Sequence, residues 1–185
     1  MRISPIRVLK YCWLYFVMWS TSWMTDLRPV IKLRGFLARP AFKKCGRNLQ
    51  ICHGTDIKYS ANMVVGNDVF IASYCWINAV GGLTIEDEVM LGPFVVIATG
   101  DHVFKNGSAR FAGGARAPVK IEFGSWVGAH AVITRGVTIG RGSLIGANAV
   151  VTKDVRSGTV AGGVPAREVS DHVKELESDP DLIGR

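Results

Sequence analysis

Aliphatic side chains recur at a step of six along the second half of this chain: Ile121, Val127, Ile133, Ile139, Ile145 and Val151 keep it without a break. Upstream, Val65, Ile71, Ile77 and Leu83 hold the same step, and Ile85, Leu91 and Ile97 resume it after a shift of two residues. Small residues accompany the period. Gly128, Gly140 and Gly146 directly follow three of these positions, and Ser125, Ala131, Ser143 and Ala149 stand four places after four of them. A step of six fits neither the 3.6-residue turn of a helix nor plain strand alternation. It does fit a short strand plus a tight turn, with one side chain per flat face directed inward. Three such units close a triangular coil, and stacked coils bury an aliphatic column while their backbones satisfy one another's hydrogen bonds. Corners call for Gly or small residues where a Cβ would crowd the turn. The pattern therefore predicts a mainly β fold, a parallel β-helix of about five coils over residues 48–165. The period does not set its hand, and parallel crossovers are right-handed by default.

Two segments leave the period. Residues 98–118 carry no aliphatic step and include Gly100, Gly107, Gly113 and Gly114, which predicts a loop extruded between coils, where function tends to sit. In residues 166–185, Val169, Val173 and Leu176 have helical spacing and predict a short amphipathic C-terminal helix.

Charge separates the N-terminus from the rest. Residues 1–50 hold ten Lys or Arg against one acid, Asp26, whereas residues 51–185 hold twelve bases against fourteen acids. The basic balance is thus local, and a nucleic-acid partner is not expected. Tyr11–Met24 is an uncharged run of fourteen residues with three of the five tryptophans, short of the roughly 20 apolar residues of a membrane span. On a helix Tyr11, Tyr15, Trp19 and Trp23 form an aromatic stripe flanked by cations. Residues 1–47 are read as a helical segment that anchors in the plane of a membrane surface, with packing on the protein's own body or a neighbouring subunit as the alternative. A cleaved signal peptide lacks a small-residue cleavage site here.

Length fits one domain. Cys12, Cys45, Cys52 and Cys75 show no paired spacing, so reduced thiols in the cytoplasm are expected and structural zinc is not.

Three stretches carry a resemblance: TIEDEVMLGPFVVIATGDH (84–102), WVGAHAVITRGVTIGRGSLIGANAVVTKDV (126–155) and AGGVPAR (161–167). Over about residues 48–170 the chain resembles the hexapeptide-repeat acyltransferases, of the maltose, galactoside and polysaccharide O-acetyltransferase kind. The resemblance implies a left-handed β-helix, a homotrimer with each active site between two subunits, and acetyl-CoA as acyl donor. It also implies a base that acts directly, without an acyl-enzyme. His102, at the loop start in TGDH, matches that base, and imidazole suits proton removal from an attacking hydroxyl near neutral pH.

By the same resemblance Ala129 and Ala147 contact the pantetheine arm and Trp126 lines the cleft. Thr152 and Lys153 lie near the nucleotide, and Arg167 approaches the phosphates, with solvated surface charge as the alternative for Lys153 and Arg167. The Ala129 N–H is a candidate oxyanion donor. Asn78 and Asp101 are expected beside the acceptor. The chain departs from the galactoside enzymes at Ala72 and Val80, where they carry an Asn and an acid, which argues against the same acceptor. His130 either lines the cleft or fills a turn, and His53 and His172 are read as structural or solvated. Gamma-class carbonic anhydrases share the fold and bind zinc through three His, but their paired His has no counterpart here, so no metal is expected.

The reading is an O-acetyltransferase acting on a sugar of surface polysaccharide or a lipid-linked precursor, at the cytoplasmic face of the membrane. A small-molecule acceptor such as a drug or serine, and a non-catalytic scaffold, are the alternatives.

Overall fold

The computed structural model describes residues 4–171. Two helices come first, α1 (Pro5–Ser20) and α2 (Arg28–Ala38), each opened by a proline in its first turn, where the missing N–H costs nothing. The solenoid begins after them. Its first coil holds β1 (Lys44–Cys45), β2 (Gln50–Ile51) and β3 (Asp56–Lys58), and its second β4 (Met63–Val65), β5 (Phe70–Ile71) and β6 (Trp76–Asn78). The third holds β7 (Leu83–Ile85), β8 (Met90–Leu91) and β9 (Val96–Ala98). A hairpin, β10 (Gly100–His102) and β11 (Gly114–Arg116), then leaves the body. The fourth coil is β12 (Val119–Ile121), β13 (Trp126–Val127) and β14 (Val132–Ile133), and the fifth β15 (Thr138–Ile139), β16 (Leu144–Ile145) and β17 (Val150–Val151). A sixth, partial turn ends in β18 (Thr159–Gly162) and β19 (Arg167–Asp171).

Each coil gives one strand to each of three parallel faces, and the aliphatic step is in register between coils. Ile51, Ile71, Leu91, Val127 and Ile145 are successive partners on the second face, and Ile57, Ile77, Ile97, Ile133 and Val151 on the third. All are buried in one core. Removing each such side chain from water is worth about 1.5–3 kcal/mol, so the column is the main source of stability. The two-residue shift in the period has a simple cause. On the first face, Leu83 and Ile85 both point inward from β7, as Met63 and Val65 do from β4, so that strand has two inward positions.

Neighbouring coils exchange backbone hydrogen bonds in both directions: Cys52 donates forward to Ile71 and Gly92 to Val127, while Tyr74 donates back to His53 and Asn148 to Ala129. First-coil carbonyls directed away from the second coil, such as that of Ile51, have no coil to receive from, and the N-terminal segment covers that end. Arg34 of α2, fully buried, donates to the Ile51 carbonyl at 2.7 Å, to the Thr21 hydroxyl at 2.9 Å and to Asp26 at 3.0 Å. Asp26 also accepts from the His53 amide, at 2.9 Å, and from the Ser73 hydroxyl, at 2.8 Å, and it lies 2.5 Å from Nδ1 of His53. His53 is thus a structural residue of this end.

Leu14 and Val17 of α1 and Ala38 of α2 join the core, while Ile6, Leu9, Phe16 and Trp19 stay exposed. One face of the segment is packed and the other is bare. The aromatic stripe is cut short, because α1 ends at Ser20 and Trp23 lies beyond it, 81% exposed. Among the described residues no helix is long and apolar enough to cross a membrane.

At the other end, Arg167–Asp171 forms a strand in the first part of the segment where a C-terminal helix was expected. Val169 lies in β19, antiparallel to β18; Val173, Leu176 and His172 fall outside the described residues. The last coil offers an open edge of backbone donors and acceptors, and pairing with β19 satisfies it where a helix would not.

Candidate active site

The extruded loop is an antiparallel hairpin pinned at its base. Thr99, fully buried, donates its hydroxyl to the Asn78 carbonyl at 2.9 Å and accepts the Gly81 N–H at 2.7 Å, while its carbonyl receives the Ala117 N–H at 3.1 Å. Above this anchor Gly100 faces Arg116, Asp101 faces Ala115 and His102 faces Gly114. Side chains alternate along a strand, and directly opposed residues share a side. Asp101 leaves one side and accepts a hydrogen bond from Nε of Arg135 at 2.6 Å. His102 leaves the other side together with Arg116. Its imidazole is exposed and has no hydrogen-bond or ion-pair partner among the described residues.

Asn78 ends β6 one coil below, with its side-chain carbonyl accepting the Val80 N–H at 3.2 Å. Thr152 and Lys153 are exposed just past β17, at the same corner between third and first faces. Asn78, Asp101, His102, Thr152 and Lys153 thus line one edge of the third face.

The remaining candidates gather at the opposite edge. Ala129 and Ala147 occupy the corner between second and third faces on successive coils, joined by the Asn148 N–H on the Ala129 carbonyl at 2.9 Å. The N–H groups of Ala129 and Ala147 have no acceptor among the described residues. Gly128 is required beneath them, since a Cβ there would stand 2.7 Å from the Ile145 carbonyl oxygen and 2.8 Å from the Ala147 nitrogen. Trp126 points outward from the second face, 51% exposed. Arg167 is exposed at the start of β19. The stretch from Ala129 to Arg135 crosses the third face, a path of roughly 20 Å. One chain therefore does not bring His102 and the Ala129 corner together.

His130 holds a left-handed corner (φ 59°), with its ring stacked on Phe94 at 4.7 Å, above the stacked pair Tyr74 and Phe94. Burial pushes the Cys52 thiol up to about 11 and the Cys75 thiol up to about 12, so neither is a ready thiolate nucleophile. Among the described residues no three His, Cys, Asp or Glu are grouped to hold a metal ion.

Residues 118–153 match the bacterial transferase hexapeptide (six repeats) family. Galactoside O-acetyltransferase of Escherichia coli (strain K12) is 31% identical over 147 residues, covering 78% of this chain and 72% of that protein. The chain belongs to the hexapeptide-repeat acetyltransferases. Nodulation protein L of Rhizobium leguminosarum bv. viciae is 43% identical over 109 residues, 59% of this chain and 57% of that protein. Among solved structures, a galactoside acetyltransferase in complex with coenzyme A superposes with a TM-score of 0.82 at 25% identity, covering 97% of this chain and 89% of that one. A maltose O-acetyltransferase from Clostridium difficile 630 gives 0.72 at 28% identity, covering 91% and 89%.

Membership also sets the hand, and the solenoid of this acetyltransferase is a left-handed β-helix. Two groups at the site were missed by sequence reasoning. Arg135 sits in the period itself, with nothing local to mark its bond to Asp101, 34 residues earlier. Arg116 has a weak signal, as one of the loop's few cations.

Proposed function

We propose that this acetyltransferase is a homotrimer that moves acetyl from acetyl-CoA to a sugar hydroxyl in polysaccharide biosynthesis, with His102 as general base. The observation that carries it is the pair of half-sites: an unpartnered imidazole on a pinned hairpin at one edge of the third face, and two unpaired N–H groups at the other. A second copy is needed to complete a site. The third face supports such a contact, because Trp76, Val96, Val132 and Val150 are register partners pointing outward on it, an apolar column where solvent would favour charge.

In the completed site Ala129, Ala147 and Trp126 of one subunit hold the pantetheine arm, and Lys153 and Arg167 serve the phosphates. His102 of the neighbour takes the acceptor hydroxyl proton as the oxygen attacks the thioester carbonyl carbon. The Ala129 N–H is placed to stabilise the oxyanion, and collapse of the tetrahedral adduct expels the CoA thiolate, which recovers the proton from His102. Asp101 holds the hairpin through Arg135, and Asn78 supports the acceptor side.

The enzyme works at the cytoplasmic face of the membrane. The bare apolar face of α1, with the exposed Arg28 and Lys32 on the same segment, suits an anionic lipid surface, where each cation contributes roughly 1 kcal/mol. Thiol release from acetyl-CoA, measured with and without glycoside acceptors, tests the activity. Acceptor-dependent release with an O-acetylated product by mass spectrometry is expected. Release that no sugar stimulates would contradict it.

A further inference from the structure

A cavity of about 630 Å³ opens between the first turns of α1 and the second coil, at the edge of the third face that carries His102. Arg7 and Tyr11 of α1 form one wall, Lys58 and Tyr59 the floor, and Val80 and Arg116 the side nearest the hairpin. Among the described residues three cations line it and no carboxylate does. The side chains of Arg7 and Arg116 have no partner among the described residues. Lys58 is partly engaged, with Asp56 at 3.6 Å and its ammonium 5.5 Å from the Trp76 ring centre, but Asp56 already accepts the Tyr15 hydroxyl at 2.6 Å. Ser60 also lines the cavity. It is 1% exposed, and its hydroxyl is the one buried side-chain oxygen or nitrogen without a partner among the described residues.

Arg116, in the cavity lining, links it to the hairpin that carries His102. Arg116 faces Gly100 across the hairpin and His102 faces Gly114, so Arg116 and His102 leave the hairpin on one side, two residues apart, about 7 Å along the strand. Arg7 and Arg116 line one cavity with no counter-charge among the described residues, and Lys58 shares its only carboxylate with Tyr15, so an anion in the cavity is attracted by all three. A neutral sugar could satisfy the Ser60 hydroxyl but would leave the two unpaired guanidinium groups without a counter-charge.

We propose that the acceptor is an anionic saccharide, its carboxylate or phosphate held by Arg7, Lys58 and Arg116 while a ring hydroxyl reaches His102. This rests on the reading of His102 as the base. The cavity volume is in the range that takes a mono- or disaccharide.

The test compares the full chain and the variants Arg7→Gln, Arg116→Gln and Arg7→Gln/Arg116→Gln on three acceptors: a methyl glucuronide, glucose 1-phosphate and methyl glucoside. The wild type is expected to prefer one of the two anionic acceptors over the glucoside in kcat/KM by tenfold or more, and which of them wins identifies the anion. Each single variant is expected to lower that preference by about tenfold to a hundredfold, the factor one charge-assisted hydrogen bond supplies. Acetyl-CoA binding by calorimetry checks that each variant is folded. A wild type that favours the glucoside, or variants that leave the preference unchanged, overturns the proposal. His102→Ala run in parallel separates the two claims: loss of transfer to every acceptor keeps the base even if the charge preference fails, and retained transfer removes the base.

Discussion

Arg135 reaches from the fourth coil to the hairpin, its Nε donating to Oδ2 of Asp101 at 2.6 Å, and so ties the strand that carries His102 to the rigid solenoid. Both side chains are about half exposed, and such a pair contributes at most about 1 kcal/mol to stability. Its value is positional. Arg135→Ala should leave the melting temperature within a few degrees of wild type and lower kcat by about tenfold, since a base displaced by 1 Å loses much of its effect. Acetyl-CoA affinity should hold, and Arg135→Lys should recover part of the rate. A large fall in stability with normal kcat would make the pair purely structural.

His102 and Ala129 stand at opposite edges of one face, which makes subunit exchange informative. His102→Ala removes the base, and Ala147→Trp, at an exposed corner, obstructs the groove; each alone should be inactive. Trimers assembled from an equal mixture should regain about a quarter of wild-type activity, because that share of sites joins an intact His102 to an intact neighbouring groove. Mixtures that stay inactive would place both halves in one chain.

Asp26 governs the acid limit. Burial pushes its carboxyl up, but hydrogen bonds from His53, Ser73 and Arg34 outweigh this and hold it at about 2, below the ordinary 3.8. A lowered folded pKa contributes stability that is full above 3.8 and is lost as pH falls toward 2. Thermal melts should therefore drop most steeply between those values. Asp26→Asn should flatten that drop and destabilise the protein at pH 7 by about 3–5 kcal/mol, because buried Arg34 loses its counter-charge.

Exposed Phe16 and Trp19 are the side chains with which to test membrane contact. Changing both to Ser should weaken flotation with anionic vesicles while leaving the melting temperature nearly unchanged. Removing residues 1–47 would instead uncover the first coil, since Leu14, Val17 and Ala38 belong to the core. Full-length protein that ignores anionic vesicles would refute the surface reading.

The solenoid was legible because its period is written in side chains that each do the same job; every aliphatic residue on the step of six from Val65 to Val151 is inward and buried. The extruded hairpin at whose root His102 stands was legible because it starts where the period stops, and the role expected of His102 came from the resemblance. The cap at the first coil was not, as Arg34, Asp26, His53 and Ser73 are scattered along the chain and meet only after both helices dock. The strand at Val169 was misread for a related reason: five residues carry too little pattern to outweigh an open sheet edge. The cationic cavity draws Arg7, Lys58 and Arg116 from three separate elements, and no spacing joins them.

The central claim is that His102 moves the proton during acetyl transfer, and single-turnover transfer by His102→Ala with saturating acetyl-CoA and acceptor tests it most directly. A rate lowered by 10²–10⁴-fold, with CoA affinity and melting temperature unchanged, is the result expected for loss of a general base. A variant that keeps more than about a tenth of the wild-type rate would contradict it.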